Sequence, residues 1–136
     1  MPAISVERTI GATKRAVDGG LIRYNNEKMG RQKHREFAVS LREEGVIVGG
    51  ILGGVWMNVL FIRSFWIDER FRGKGHGKAL IESIEGEARR FGAVRSYLDT
   101  LSVQAPDFYR GCGYETFGTI EGYPGGVTRY WFTKAL

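Results

Sequence analysis

The segment Arg72-Gly73-Lys74-Gly75-His76-Gly77-Lys78 is the part of this chain whose residue types and spacing suit chemistry. Glycines at this spacing let successive backbone N–H groups turn toward one anion. A helix N-terminus behind them adds partial positive charge. Arg72, Lys74 and Lys78 supply full charges. The segment reads as a site for a phosphate or pyrophosphate; the other reading is a glycine-rich turn that merely caps a helix. Two familiar nucleotide loops fit poorly. A Walker loop needs one more residue than Gly73 to Gly77 provides, and a hydroxyl after Lys78, where Ala79 stands. A Rossmann loop needs a final glycine at a spacing absent here, near the start of a β-α-β unit.

The other reactive side chains are few. Cys112 has no His or Asn pattern around it and reads as a packing thiol. One cysteine and two histidines are too few for a zinc site, so no metal is expected. His76 belongs to the phosphate loop, where backbone geometry matters more than the imidazole. His34 sits in the polar, basic loop expected at Arg31 to Arg35 and is expected to be exposed. Asp68 and Glu69 neighbour Arg70, Arg72 and Lys74 and read as partners that hold the loop.

The elements that must position these residues follow from periodicity. Phe37, Val39 and Leu41 alternate with Ala38, Ser40 and Arg42, which predicts a half-buried strand. Glu44-Gly45 turns the chain into a second strand, Val46 to Met57. A third, Val59 to Ile67, follows a turn at Asn58. From Gly77 the apolar residues Leu80, Ile81, Ile84, Ala88 and Phe91 recur at helical spacing, with Glu82, Glu85, Arg89 and Arg90 around the rest. Gly92 ends that helix. Ser96 to Thr100 predicts a short strand, and Ala105 to Cys112 a short helix with Pro106 in its first turn. Tyr114 to Ile120 and Thr128 to Lys134 predict two last strands, joined by the Gly122–Gly126 loop. At the start, Ile4 to Ile10 alternates like a strand. Asp18 reads as a helix N-cap, with Gly30 as the stop. The predicted order is β-α-β-β-β-α-β-α-β-β.

The chain has 136 residues, 43% hydrophobic and 26% charged, which argues for one globular domain spanning 1–136 and against disorder. A single cysteine excludes a disulfide-stapled secreted domain. The stretch Val46 to Ile62 carries no charge, yet it is broken by glycine pairs and rich in β-branched residues, so it reads as strands and no membrane span. The N-terminus lacks an apolar signal core, and a cytoplasmic location is expected. The net charge of +5 suits a phosphate-bearing partner. No RRM, KH or zinc-finger signature accompanies it, which argues against nucleic acid.

Two motifs in order carry a resemblance. Arg72-Gly73-Lys74-Gly75-His76-Gly77 matches the [QR]-x-x-G-x-[GA] pyrophosphate loop of the GNAT superfamily of acetyl-CoA-dependent N-acetyltransferases. Ala105-Pro106-Asp107-Phe108-Tyr109-Arg110-Gly111-Cys112-Gly113-Tyr114 is similar to that family's A-x-x-[FL]-Y-x-x-x-G-[FY] segment. Together they cover about Phe65 to Thr119, and the element order extends the likeness over most of the chain.

The resemblance implies an α/β (α+β) fold with a mixed, strongly twisted central sheet of about seven strands. Two central strands, Val59–Ile67 and Ser96–Thr100, would splay apart, and acetyl-CoA would lie between them. Its pantetheine would pair with backbone near Phe65, Trp66 and Ile67. Its pyrophosphate would rest on the loop Arg72, Gly73, Lys74, Gly75, His76, Gly77 and Lys78. Ser102 stands seven residues before Tyr109, where the family often has Asn, and would contribute a cofactor hydrogen bond. Tyr109 would protonate the departing thiolate. Asp99 would act as a base or position water, or else cap the following loop. The expected reaction is direct acetyl transfer to a primary amine of a small molecule, with Tyr24 and Tyr123 lining the acceptor side. A non-catalytic acyl-CoA-binding or sensor module on the same fold is the alternative. Exposed edges permit a homodimer without requiring one.

Overall fold

The computed structural model describes all residues, Met1–Leu136, in two compact units, Met1–Gln32 and Lys33–Leu136. The first unit holds one helix, α1 (Gly11–Met29), with no buried residue. The strand expected at Ile4–Ile10 does not form: residues 1–10 are exposed and belong to no helix or strand. Alternating apolar residues make a strand only where a neighbour completes the hydrogen-bond ladder, and none pairs with this segment. Asp18 is not an N-cap either. The helix starts eight residues earlier, with Ile10 at its cap, and Asp18 pairs with Lys14 one turn back. No helix in the chain is long and apolar enough to cross a membrane.

The second unit is a six-stranded mixed sheet in the order β1-β2-β3-β4-β6-β5. Its strands are β1 (His34–Glu43), β2 (Val46–Trp56), β3 (Val59–Ile67), β4 (Arg95–Leu101), β5 (Glu115–Tyr123) and β6 (Val127–Ala135). One strand fewer than expected follows from the N-terminal segment. The uncharged run at Val46–Ile62 is indeed a hairpin of two strands. His34 opens β1 and is not in a loop. Between β3 and β4 lie a single 3-10 turn (Glu69–Phe71) and helix α2 (His76–Arg90). Helix α3 (Pro106–Gly111) joins β4 to β5.

The turns explain the hairpins. Glu44 and Gly45 have φ of 47° and 81°, and Met57 and Asn58 have 51° and 63°. Two positive φ values in a two-residue turn match the right-handed twist of the flanking strands. Met57 is the poorest residue for this conformation, so Met57→Asn should raise stability by about 0.5–1 kcal/mol in urea unfolding. No gain would mean that the Met57 side chain makes up for the strain.

Helix α2 buries Leu80, Ile81, Ile84 and Ala88 along one stripe against β2 and β3, each large side chain contributing about 1.5–3 kcal/mol. Close approach needs Gly53: a Cβ there would lie 2.7 Å from the Phe61 carbonyl oxygen and 3.1 Å from Ile84 Cδ1. Glu85 was expected on the solvent face of α2 but is 1% exposed. Its carboxylate accepts from Tyr114 Oη at 2.8 Å and from Lys134 Nζ at 3.0 Å. The Tyr114 hydroxyl also lies 2.8 Å from Ser96 Oγ. A hydroxyl has one proton, so Tyr114 donates to Glu85 and accepts from Ser96.

Candidate active site

The opening of the sheet makes the site. Strands β3 and β4 run parallel and pair only over Val59–Phe61 and Arg95–Tyr97. Beyond Phe61 they diverge. On β3, Ile62 pairs with Gly53 and Ser64 with Leu52, so Arg63 is an extra residue. Such a bulge bends its strand and reverses which side chains face which way. Before it, Leu60 and Ile62 point to the core; after it, Ile67 is the buried residue, and Phe65 packs against Phe108 and Tyr109.

The resulting cleft has a volume of about 1190 Å³, enough for a large ligand. Of the residues expected at a site, Phe65, Trp66, Ile67, Arg72, Gly73, Gly75, Gly77, Lys78, Asp99, Tyr109 and Tyr123 line it together. Lys74, His76 and Ser102 lie outside the lining. The Ser102 hydroxyl accepts the Thr128 N–H at 3.1 Å and ties the end of β4 to β6. Tyr24 belongs to α1, exposed, with Lys28 Nζ 5.6 Å from its ring centre.

At one end of the cleft stands the N-terminus of α2. Gly75 caps it at φ 85° with open space around it, so glycine is required there by backbone conformation. Gly77 is required by space: a Cβ would lie 3.0 Å from the Phe108 ring. The N–H groups of His76, Gly77 and Lys78 precede the first helical bond, which Ala79 makes to Gly75 at 3.2 Å, and remain open for an anion. Arg72 Nε donates to the Ile67 carbonyl at 2.8 Å, anchoring the loop to the end of β3. Asp68 caps the 3-10 turn by accepting the Arg70 N–H at 3.0 Å and pairs with the same residue's guanidinium. Hydrogen bonds from Arg70 hold its carboxyl below the ordinary value.

Tyr109 forms the adjoining wall. Its ring is packed by Phe65, Phe108, Tyr114 and Phe132 at centroid distances of 5.3–6.4 Å. It is 8% exposed, and the phenol lines the cleft. Burial pushes its pKa up to about 12, so the phenol keeps its proton across the physiological range. Cys112 closes α3; burial raises its thiol pKa and leaves it a weak nucleophile.

Opposite lies a pair that the sequence only half disclosed. Arg129 Nη2 and Nε donate to Asp99 Oδ1 at 2.6 and 3.1 Å. The guanidinium lies 4.8 Å from the Trp131 ring centre. The Tyr123 hydroxyl and Asp99 both raise its pKa further. Arg129 had no signal of its own, because its partner is 30 residues away and is met only through the β4–β6 register. Gln104, which also lines the cleft, accepts the Leu101 N–H at 2.9 Å through its side chain; this local turn contact was missed as well.

Comparison with known proteins gives a consistent picture. The family described as acetyltransferase (GNAT) family matches residues 12–114. A blasticidin-S acetyltransferase of Streptomyces morookaense is 38% identical over 95 residues, 69% of this chain and 70% of that protein. The crystal structure of an acetyltransferase from Bacillus cereus has a TM-score of 0.90 and 31% identity over 98% of each chain. An aminoglycoside 6'-N-acetyltransferase complexed with coenzyme A has the same fold at a TM-score of 0.65 and 17% identity, covering 74% of this chain and 72% of that one.

Proposed function

The chain belongs to the acetyltransferase (GNAT) family, and we propose that it moves the acetyl group of acetyl-CoA directly to a primary amine of a small molecule. The observation that carries this reading is one cleft joining an anion-ready helix end to a protonated phenol. The similar proteins named for blasticidin-S and for an aminoglycoside support a small molecule over a protein as acceptor.

The residues fit the cofactor's chemistry. Arg72, Lys78 and the open N–H groups of α2 hold its pyrophosphate. The diverging backbone of Phe65, Trp66 and Ile67 offers hydrogen bonds to its pantetheine amides. Acetyl-CoA supplies the activated thioester. The acceptor nitrogen bonds to the acetyl carbon and gives up a proton while the carbon–sulfur bond breaks. Tyr109 hydrogen-bonds the leaving sulfur. The amine must arrive uncharged, although its free pKa is about 10.4. Asp99 is the carboxylate at hand to receive its proton, directly or through water.

The test is thiol release from acetyl-CoA with a panel of amines, beside calorimetry of acetyl-CoA binding. Arg72→Ala should weaken acetyl-CoA binding by about 1.5–3 kcal/mol, the range for a hydrogen bond to a charged group. Absence of binding by the unaltered protein at low salt would sink the reading. Binding without thiol release for any amine would point to the non-catalytic module.

A further inference from the structure

We infer that the acceptor is an amine that also carries a carboxylate, with Asp99 Oδ2 receiving the ammonium and Arg129 the carboxylate. The inference rests on the acetyl-transfer reading above and goes on to name the acceptor's chemical class.

Strand alternation sets the stage. On β4, Ser96, Leu98 and Thr100 are buried on the face covered by α2; on β6, Phe132 is. Asp99, Arg129 and Trp131 therefore project from the opposite face. Phe65, Ile67 and Tyr109 line the cleft from the α2 face, whereas Asp99 and Arg129 line it from the other. The opening thus passes through the sheet, and a second substrate can enter against the face that the α2 end does not occupy.

The pair is half committed. Both contacts from Arg129 fall on Asp99 Oδ1, so Oδ2 keeps its full capacity as an acceptor. A guanidinium has five N–H groups; two go to Asp99 and a further one to the Tyr123 hydroxyl, which leaves two for a ligand. Stacking over Trp131 fixes the plane in which they point. Asp99 and Arg129 side chains are 26% and 36% exposed, so a ligand can reach both. One open carboxylate oxygen beside two open guanidinium donors complements a ligand with the reverse arrangement. A plain polyamine would satisfy Asp99 but bring a second cation against Arg129. A like charge also favours the neutral form of the amine that must attack.

Three matched acceptors with one carbon skeleton test this: an amino carboxylate, its methyl ester and the decarboxylated amine. In thiol-release assays the unaltered protein should favour the carboxylate in kcat/KM by about tenfold or more, as expected for a charge-assisted fork. Arg129→Gln should bring the ratio near one, with the KM for acetyl-CoA within about twofold of normal. Arg129→Lys, which keeps the charge without the fork, should retain part of the preference. Equal rates for acid and ester in the unaltered protein overturn this inference and leave the acetyltransferase reading standing. So does a preference that survives Arg129→Gln. No thiol release with any amine overturns both.

Discussion

Tyr109→Phe should lower kcat about a hundredfold and leave the KM for acetyl-CoA nearly unchanged. The substitution keeps the ring that Phe65, Phe108, Tyr114 and Phe132 pack and removes only the hydroxyl. A hundredfold corresponds to about 2.7 kcal/mol, within the range for a hydrogen bond to a charged partner. The size also says how the phenol works. Its pKa stands near 12, whereas an ordinary thiol ionises near 8.5. Complete proton transfer to the sulfur would therefore run uphill. On the proposed reading, Tyr109 would stabilise the departing thiolate by donating a hydrogen bond, with solvent delivering the proton afterwards. The pH profile checks this. Because the phenol's pKa is raised, its proton is fully present below pH 10 and is lost only near pH 12. Activity should rise as the amine deprotonates and show no falling limb below about pH 11. Unchanged turnover in the Phe variant would reduce Tyr109 to packing, and a falling limb near pH 9 that vanishes with it would contradict the raised pKa.

What could be read before folding was what is local. The glycine loop, the apolar stripe of α2 and the turns at Glu44-Gly45 and Asn58 each declare themselves within a few residues, and the structure keeps them. Local pattern is also where the reading went astray. Ile4, Val6 and Ile10 alternate as a strand does, yet alternation states only what a segment could bury, and this one has no ladder partner. Glu85 is the same lesson inverted. A glutamate within a helix reads as solvated until β4, β5 and β6 bring Ser96, Tyr114 and Lys134 to it. Half of the Asp99–Arg129 pair was legible as Asp99. Its partner Arg129 depended on the register that sets Asp99 opposite Trp131 and Leu101 opposite Arg129, and register is decided by the whole sheet.

The buried cluster around Glu85 carries a large expected stability effect. Lys134→Met should destabilise the fold by about 3 kcal/mol, a large share of the 5–15 kcal/mol typical of a domain. Glu85 is sealed inside, with one oxygen on Lys134 and the other on the Tyr114 hydroxyl. Removing the ammonium leaves a carboxylate with hydrogen bonds but no counter-charge, and burial strips the water that would replace it. Lys134 is itself 23% exposed, which admits some solvent and places the loss at the low end of the 3–5 kcal/mol usual for such breaks. The double variant Glu85→Leu with Lys134→Met should recover most of it. An apolar pair of similar volume needs no desolvation, and the Tyr114 hydroxyl keeps Ser96 as a partner. Urea unfolding of the two variants decides the matter. A loss below about 1 kcal/mol for the single variant would mean that water already supports Glu85, and a double variant no better than the single would mean that Tyr114 depends on the carboxylate. The second outcome bears on the active site, because the Tyr114 N–H donates to the Tyr109 carbonyl at 3.0 Å. A turn held by Glu85 is then what keeps the phenol at the cleft.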